Sequence, residues 1–210
     1  MNKGYDGFYD SEELSFGSDP TQEIREFVER EGATGRALDL GAGDGRNTLF
    51  LAEKGFEVTA LDISKTGIDK LDRIAGEKGV NNKIETIIED ARDWVYPEGK
   101  FDLIVAVTLF DHLETPEIDK LFYKVRNSLK RGGIMFVKVH TIDDPGYRDD
   151  PEKSSELSTE VKHYFRPNEL LKHFKGNFNI RYYEECMEDD TSHGTPHKHG
   201  YARILARKMK

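Results

Sequence analysis

Three closely spaced glycines and a series of acids are the residues of this chain best placed to act on a ligand. In Ala37-Leu38-Asp39-Leu40-Gly41-Ala42-Gly43-Asp44-Gly45-Arg46-Asn47 an apolar run carries an acid near its end, turns on alternating glycines and enters a helical pattern. Glycine adopts positive φ without strain and lets a ligand lie directly on the backbone. Two further acids close apolar runs: Asp62 ends Glu57-Val58-Thr59-Ala60-Leu61, and Asp90 follows Lys83 to Glu89. An acid at the end of a second strand accepts hydrogen bonds from ribose hydroxyls. One after a third strand meets the exocyclic amine of adenine, with apolar Ala91 under the ring. The ligand expected is a nucleoside derivative.

The glycine spacing narrows the choice. A dinucleotide site prefers G-x-G-x-x-G, with pyrophosphate at the helix N-terminus. Here the glycines are Gly41, Gly43 and Gly45, and Arg46 follows. Asp39 and Asp44 place negative charge where a pyrophosphate would lie. A ligand that is cationic or zwitterionic at this end fits better, and S-adenosylmethionine is such a ligand.

The elements that must position these residues alternate. A helix starting at Asp19-Pro20, capped by Asp19 and ended by Gly32, precedes a strand over about Arg36 to Leu40. Helices follow over about Arg46 to Lys54 and Ser64 to Glu77. The nearly all-apolar run Phe101 to Thr108 predicts a central strand buried on both faces. Thr115-Pro116 caps a helix to about Leu129, and Gly132-Gly133 opens a fifth strand, Ile134 to His140. A short helix spans Pro167 to Phe174. Two strands without an intervening helix, about Phe178 to Met187 and Tyr201 to Lys208, predict an antiparallel hairpin. The fold expected is α/β: a Rossmann-like, seven-stranded, mostly parallel sheet with helices on both faces and a C-terminal antiparallel hairpin. Asp39 to Gly45, Asp62, Asp90, Thr108 to His112 and His140 then gather at the carboxyl edge, where ligands bind at the switch in strand order.

Five motifs in order, Asp39 to Gly45, Leu61-Asp62-Ile63-Ser64, Glu89-Asp90-Ala91, Phe101-Asp102-Leu103-Ile104-Val105 and Leu129-Lys130-Arg131-Gly132-Gly133, resemble the motif series of class I S-adenosylmethionine-dependent methyltransferases over about residues 36 to 208. The resemblance implies a cofactor site at Asp39, Leu40, Gly41, Gly43, Asp62, Ile63, Asp90, Ala91 and Thr108. Gly45-Arg46-Asn47 with Leu49, Leu51 and Ala52, and the closing Ala202 to Lys208, are similar to the tellurite-resistance and thiopurine-methyltransferase-like group, whose acceptors are small soft nucleophiles. The chain departs from that group in an acidic insert near residues 143 to 156 and in a histidine-rich segment, Asp189 to Gly200, which has the composition of a hairpin loop.

Composition bounds the remaining choices. The 210 residues suit one domain, and a net charge of −9 disfavours a nucleic-acid substrate. One cysteine, Cys186, excludes an internal disulfide and suits a reducing interior. No apolar run approaches a membrane span, and the first residues lack a signal peptide's apolar core. A cytoplasmic protein acting on a small molecule is expected, with its oligomeric state open. Residues 1 to 17, rich in aromatics, read as a surface arm or a lid, and 141 to 160 as a mobile substrate cap.

Methyl transfer from a sulfonium needs positioning more than a catalytic group, and a base only where the acceptor must lose a proton. Three residues are candidates. Arg46 is either an exposed helix-start residue or a group reaching over the pocket to an anionic acceptor. His112 is a loop residue beside a supporting Asp111, or stands near the methyl group. His140 is a core-edge histidine or part of the site. No metal is expected, because His193, His197 and His199 match no standard zinc spacing and no cysteine completes one. A protein or RNA methyltransferase is the second hypothesis, disfavoured by Thr108-Leu109-Phe110-Asp111 standing where an N-P-P-Y-type tetrapeptide would. A non-catalytic cofactor-binding partner is the third.

Overall fold

A computed structural model describes residues 6–9, 14–148, 161–190 and 197–209. Among these, the seven strands β1 (Arg36–Leu40), β2 (Glu57–Asp62), β3 (Ile84–Ile88), β4 (Phe101–Val107), β5 (Leu129–His140), β6 (Phe178–Asp190) and β7 (His197–Lys208) form one sheet in the order β3-β2-β1-β4-β5-β7-β6. The first five run parallel, while β7 pairs antiparallel with both β5 and β6. This is the expected seven-stranded sheet. Strand order reverses between β1 and β4, so a crevice opens beyond their carboxyl ends.

Strand alternation divides the core into two layers. Ala37, Val58, Leu103, Val105, Ile134 and Phe136 face one layer, with Ile24, Phe27 and Val28 of α1 (Gln22–Glu31), Leu49 of α2 (Arg46–Glu53) and Leu71 of α3 (Lys65–Lys78). Their neighbours Leu38, Ile104, Met135 and Val137 face the other, with Ile118, Leu121, Phe122 and Val125 of α4 (Thr115–Ser128) and Leu170 and Phe174 of α5 (Glu169–Phe174). The central strands are therefore buried on both faces, and helices cover both sides.

Helix ends follow local chemistry, with two departures from expectation. Ser64 caps α3, its hydroxyl accepting from the Gly67 N–H at 3.1 Å, and Gly79 ends it in the left-handed region. The cap of α4 is Glu114, in a reciprocal capping box with Glu117, rather than Thr115. At α1 the N-cap is Thr21 instead of Asp19. Asp19 sits at the surface, ion-paired with Arg25 at 2.5 Å, while the Thr21 N–H donates to Asn47 Oδ1 at 2.9 Å.

Three spans also differ. β5 begins at Leu129, not Ile134, because Leu129 is fully buried and pairs with Phe101; the Gly132-Gly133 pair lies inside the strand. The terminal strands reach further than expected, so that Asp189, Asp190, His197, Lys198, His199 and Gly200 pair in the ladder instead of forming a loop. The start of the 141–160 segment is tied down. Thr141 bridges to Phe165, and Asp144 is buried with its Oδ1 accepting from the Gly146 N–H at 2.7 Å. The rest of that segment, 149–160, and His193 lie outside the described residues. No described helix is long and apolar enough to cross a membrane.

Candidate functional site

A cavity of about 540 Å³ opens at the carboxyl edge of β1, β2, β4 and β5, within the size range of small-molecule and cofactor pockets. Gly41 and Gly43 form its floor after β1. Gly43 has φ +56, and a Cβ there would stand 2.7 Å from the Tyr9 hydroxyl oxygen. Its N–H donates to Asp62 Oδ2 at 2.7 Å, and the Ser64 N–H donates to Asp62 Oδ1 at 2.8 Å. Asp62 is thus aimed along the wall by two backbone donors. Burial outweighs those bonds and raises its pKa above the ordinary aspartate value.

Gly41, Gly43, Asp62, Ile63, Asp90, Ala91 and Thr108, named from the sequence, line the cavity together with Arg46, His112 and His140. Asp39 and Leu40 do not; they are buried beneath the glycine turn. Asp39 Oδ2 accepts from the Thr48 hydroxyl at 2.6 Å, and burial raises its pKa to about 6. Asp44 does not offer the turn an uncompensated charge either. It is buried against Lys70 at 3.0 Å and accepts from the Ser15 N–H at 2.6 Å. Besides Asp44, the acids lining the cavity are Asp62, Glu89, Asp90, Glu188, Asp189 and Asp190. Asp90 is chelated by the Arg92 guanidinium, with bonds of 2.9 and 2.6 Å, and this holds its carboxyl below the ordinary range.

Thr108 is the residue under backbone strain. Its φ of +51 lies in the left-handed region, which a β-branched side chain disfavours. Its N–H donates to the Lys138 carbonyl at 2.8 Å, locking the turn where the chain leaves β4. Strain of this kind costs about 1–3 kcal/mol and persists only where the surroundings impose it.

Asp111 does more than support the turn beside His112. Asp111 is fully buried and turns toward His140: its Oδ2 takes a bond from His140 Nδ1 and another from the His140 N–H at 3.2 Å. Oδ1 is buried without a hydrogen-bond partner among the described residues. Burial is the largest influence on Asp111 and opposes its charge, but the ring and N–H of His140 together with the nearby His112 outweigh it, and the pKa falls below the ordinary value. With Nδ1 donating to a carboxylate, Nε2 is the nitrogen His140 has left to offer. His140 packs at ring-centroid distances of 4.9 Å from Tyr201 and 5.0 Å from His199.

Several wall residues carried no expectation: Lys138, Lys162, Glu188 and Tyr201. Lys138 pairs with Glu188 at 2.9 Å and lies 3.9 Å from the Tyr201 ring centroid. Its signal was present in the sequence, since Lys138 and His140 alternate with Val137 and Val139 in an otherwise apolar strand. Phe16 and Tyr9 of the N-terminal segment also line the cavity. Arg46 Nη1 donates to the Phe16 carbonyl at 3.2 Å, so the described part of this segment sits against the start of α2.

Residues 37–133 match the family described as "Methyltransferase domain". The chain is 26% identical over 173 residues to a probable S-adenosyl-L-methionine-dependent methyltransferase, TehB, of Haemophilus influenzae, covering 82% of this chain and 57% of that protein. It is 32% identical over 109 residues to the putative methyltransferase YqeM of Bacillus subtilis, covering 51% of this chain and 43% of that one. It thus spans about half the length of these curated relatives. In fold it is similar to the N-methyltransferase NodS from Bradyrhizobium japonicum in complex with S-adenosyl-L-homocysteine, with a TM-score of 0.75 and 12% identity, covering 99% of this chain and 98% of that one. Motif order, matched residues and sheet order agree: residues 37–133 carry a methyltransferase domain, and the chain is similar to class I S-adenosylmethionine-dependent methyltransferases.

Proposed function

We propose that this protein moves a methyl group from S-adenosylmethionine to a small-molecule acceptor. The observation that carries this reading is the cavity at the switch in strand order, floored by Gly41 and Gly43 and walled by acids. When bound, S-adenosylmethionine supplies an activated methyl group on a cationic sulfur.

The residues present fit that cofactor. Asp62 would accept from the ribose hydroxyls through lone pairs its two backbone donors leave open. Asp90 and Ala91 would meet the adenine, Asp90 sharing its carboxylate with Arg92. Gly41 and Gly43 let the ligand lie on the backbone, and Ile63 and Thr108 flank it. Asp39 and Leu40 act from beneath, by fixing the turn. Tyr9 and Phe16 exclude water from the cavity mouth as the inner face of a lid.

On the acceptor side, His112, His140 and Arg46 face the same space. His140, oriented by Asp111, presents Nε2 to the acceptor and takes its proton where it carries one. Arg46 offers an anionic acceptor a hydrogen-bonding cation. Thiol, selenium and tellurium compounds are the acceptors suggested by the resemblance to the tellurite-resistance group. The cavity's size and acidity speak for a small molecule over nucleic acid, and the chain's composition for an intracellular location.

The test is S-adenosylhomocysteine release across selenite, tellurite, aromatic and aliphatic thiols, free amines, carboxylates, and total cell RNA and protein. Turnover on small molecules is expected, reduced by about 10²-fold or more in His140→Ala if the acceptor carries a proton. Turnover confined to the macromolecular fraction would overturn the reading.

A further inference from the structure

The antiparallel hairpin assembles nitrogen and oxygen donors at the end where β6 gives way to β7. Residues at i and i+2 of a strand share a face, so His197 and His199 lie on one side of β7. Asp190 stands opposite His197, and Glu188 opposite His199. One ligand atom from each of Asp190, His197 and His199 lies within 4.8 Å of the others. The Nε2 atoms of His197 and His199 face each other at 2.8 Å. Two imidazoles on one tetrahedral zinc hold their nitrogens only slightly further apart, about 3.3 Å, given zinc–nitrogen distances of about 2.0–2.1 Å.

A second observation lies behind this set. His199 Nδ1 is 2.8 Å from Asp144 Oδ2, and both side chains are almost wholly buried. The same oxygen accepts from the Gly200 N–H at 3.0 Å, and Oδ1 accepts from the Gly146 N–H. A carboxylate fixed in this way accepts a hydrogen bond from Nδ1–H, which keeps the proton on Nδ1 and presents Nε2 as the ligating nitrogen. Metal-binding histidines are oriented by this kind of outer carboxylate. His140 also lies close to Asp144 and His199, but its Nδ1 is held by Asp111 and Asp144 is occupied by His199.

We propose that Asp190, His197 and His199 bind a divalent transition cation of zinc's class, with Asp144 as the outer carboxylate. Two imidazoles and one carboxylate suit zinc, iron, cobalt or nickel better than magnesium or calcium. Three protein ligands leave a coordination position open. Because Asp190 and His199 also line the main cavity, that position gives onto the acceptor side. Resting on the methyl-transfer reading, the cation would hold a thiol acceptor there as its thiolate, the thiol proton passing to solvent.

The experiment titrates the full chain, made without a histidine tag and stripped by chelator, with Zn²⁺ by calorimetry. Co²⁺ absorption reports the ligand field, and S-adenosylhomocysteine binding is measured separately. The expected result is one zinc per chain. Affinity should fall on the order of 100-fold in His197→Ala and Asp190→Asn, and about 10–100-fold in Asp144→Asn, while His197→Ala keeps its S-adenosylhomocysteine affinity. Asp144 and His199 are buried, so the decisive variants are those of the less buried His197 and Asp190, with thermal melts showing that they fold. Absence of stoichiometric zinc binding, or equal binding by wild type, His197→Ala and Asp190→Asn, overturns the site. Zinc binding by a preparation that binds no S-adenosylhomocysteine upholds the site and overturns the function proposed above.

Discussion

Single residues at this site are held in unfavourable states by their surroundings, and those states are measurable. Asp39 is fully enclosed, so the folded protein holds its proton up to about pH 6 while the unfolded chain releases it near 3.8. A raised carboxyl pKa means that the folded state binds more protons between these values, so this residue's contribution to stability falls as pH rises through the window. The penalty above pH 6 is about 3 kcal/mol. Asp39→Asn keeps an acceptor for Thr48 and should melt higher than wild type at pH 7, with the gap closing toward pH 4. A gap independent of pH would show that Asp39 is not the cause. Asp62→Ala removes the acceptor assigned to ribose, and S-adenosylhomocysteine affinity should fall about 10–100-fold by calorimetry; unchanged affinity would remove that role. Thr108→Gly should relieve the positive-φ strain and raise the melting temperature. A lower one would mean that the threonine's packing outweighs its strain.

Elements meet at the cavity through contacts the sequence does not display. The glycine turn is clamped to α3 by the buried Asp44–Lys70 pair, and removing one partner strands a buried charge, at a cost of about 3–5 kcal/mol. Lys70→Ala should therefore destabilise far more than Lys65→Ala, whose partner Asp69 is exposed; equal losses in denaturant melts would refute the clamp. The N-terminal segment reaches the same place. Asp6 accepts from the Ser64 hydroxyl at 2.7 Å at the start of α3, and Arg46 binds Phe16. Deleting residues 1 to 17 should raise the off-rate of S-adenosylhomocysteine measured by stopped flow, because Tyr9 and Phe16 leave the cavity wall. An unchanged rate would reduce this segment to surface packing.

At the scale of the whole molecule, strand order gathers residues from distant parts of the chain at one edge. That convergence was legible in the sequence, because alternating strand and helix patterns permit few topologies and those place carboxyl ends together. The glycines, Asp62, Asp90 and Thr108 could be found this way, each lying at a strand end beside a turn. The partners of Asp111 and Asp44 could not. Asp111 is next to His112 in the chain but bonds to His140, and Asp44 finds its cation a helix away.

The sequence by itself determined the α/β architecture, the order of its motifs and the acids and glycines gathered at the carboxyl edge, because hydrophobic period, glycine turns and strand-end acids are local features. Only the tertiary structure decided which charges remain available and which are spent on each other, since burial and ion pairing depend on packing between elements. The histidine-rich segment shows the difference most directly. In the sequence it has the composition of a loop and no metal spacing. Antiparallel register places His197 opposite Asp190 and Glu188 opposite His199, while β5 and the 141–148 segment bring Asp144 behind His199. Strand pairing acts between residues far apart in the chain, and spacing along it records none of that.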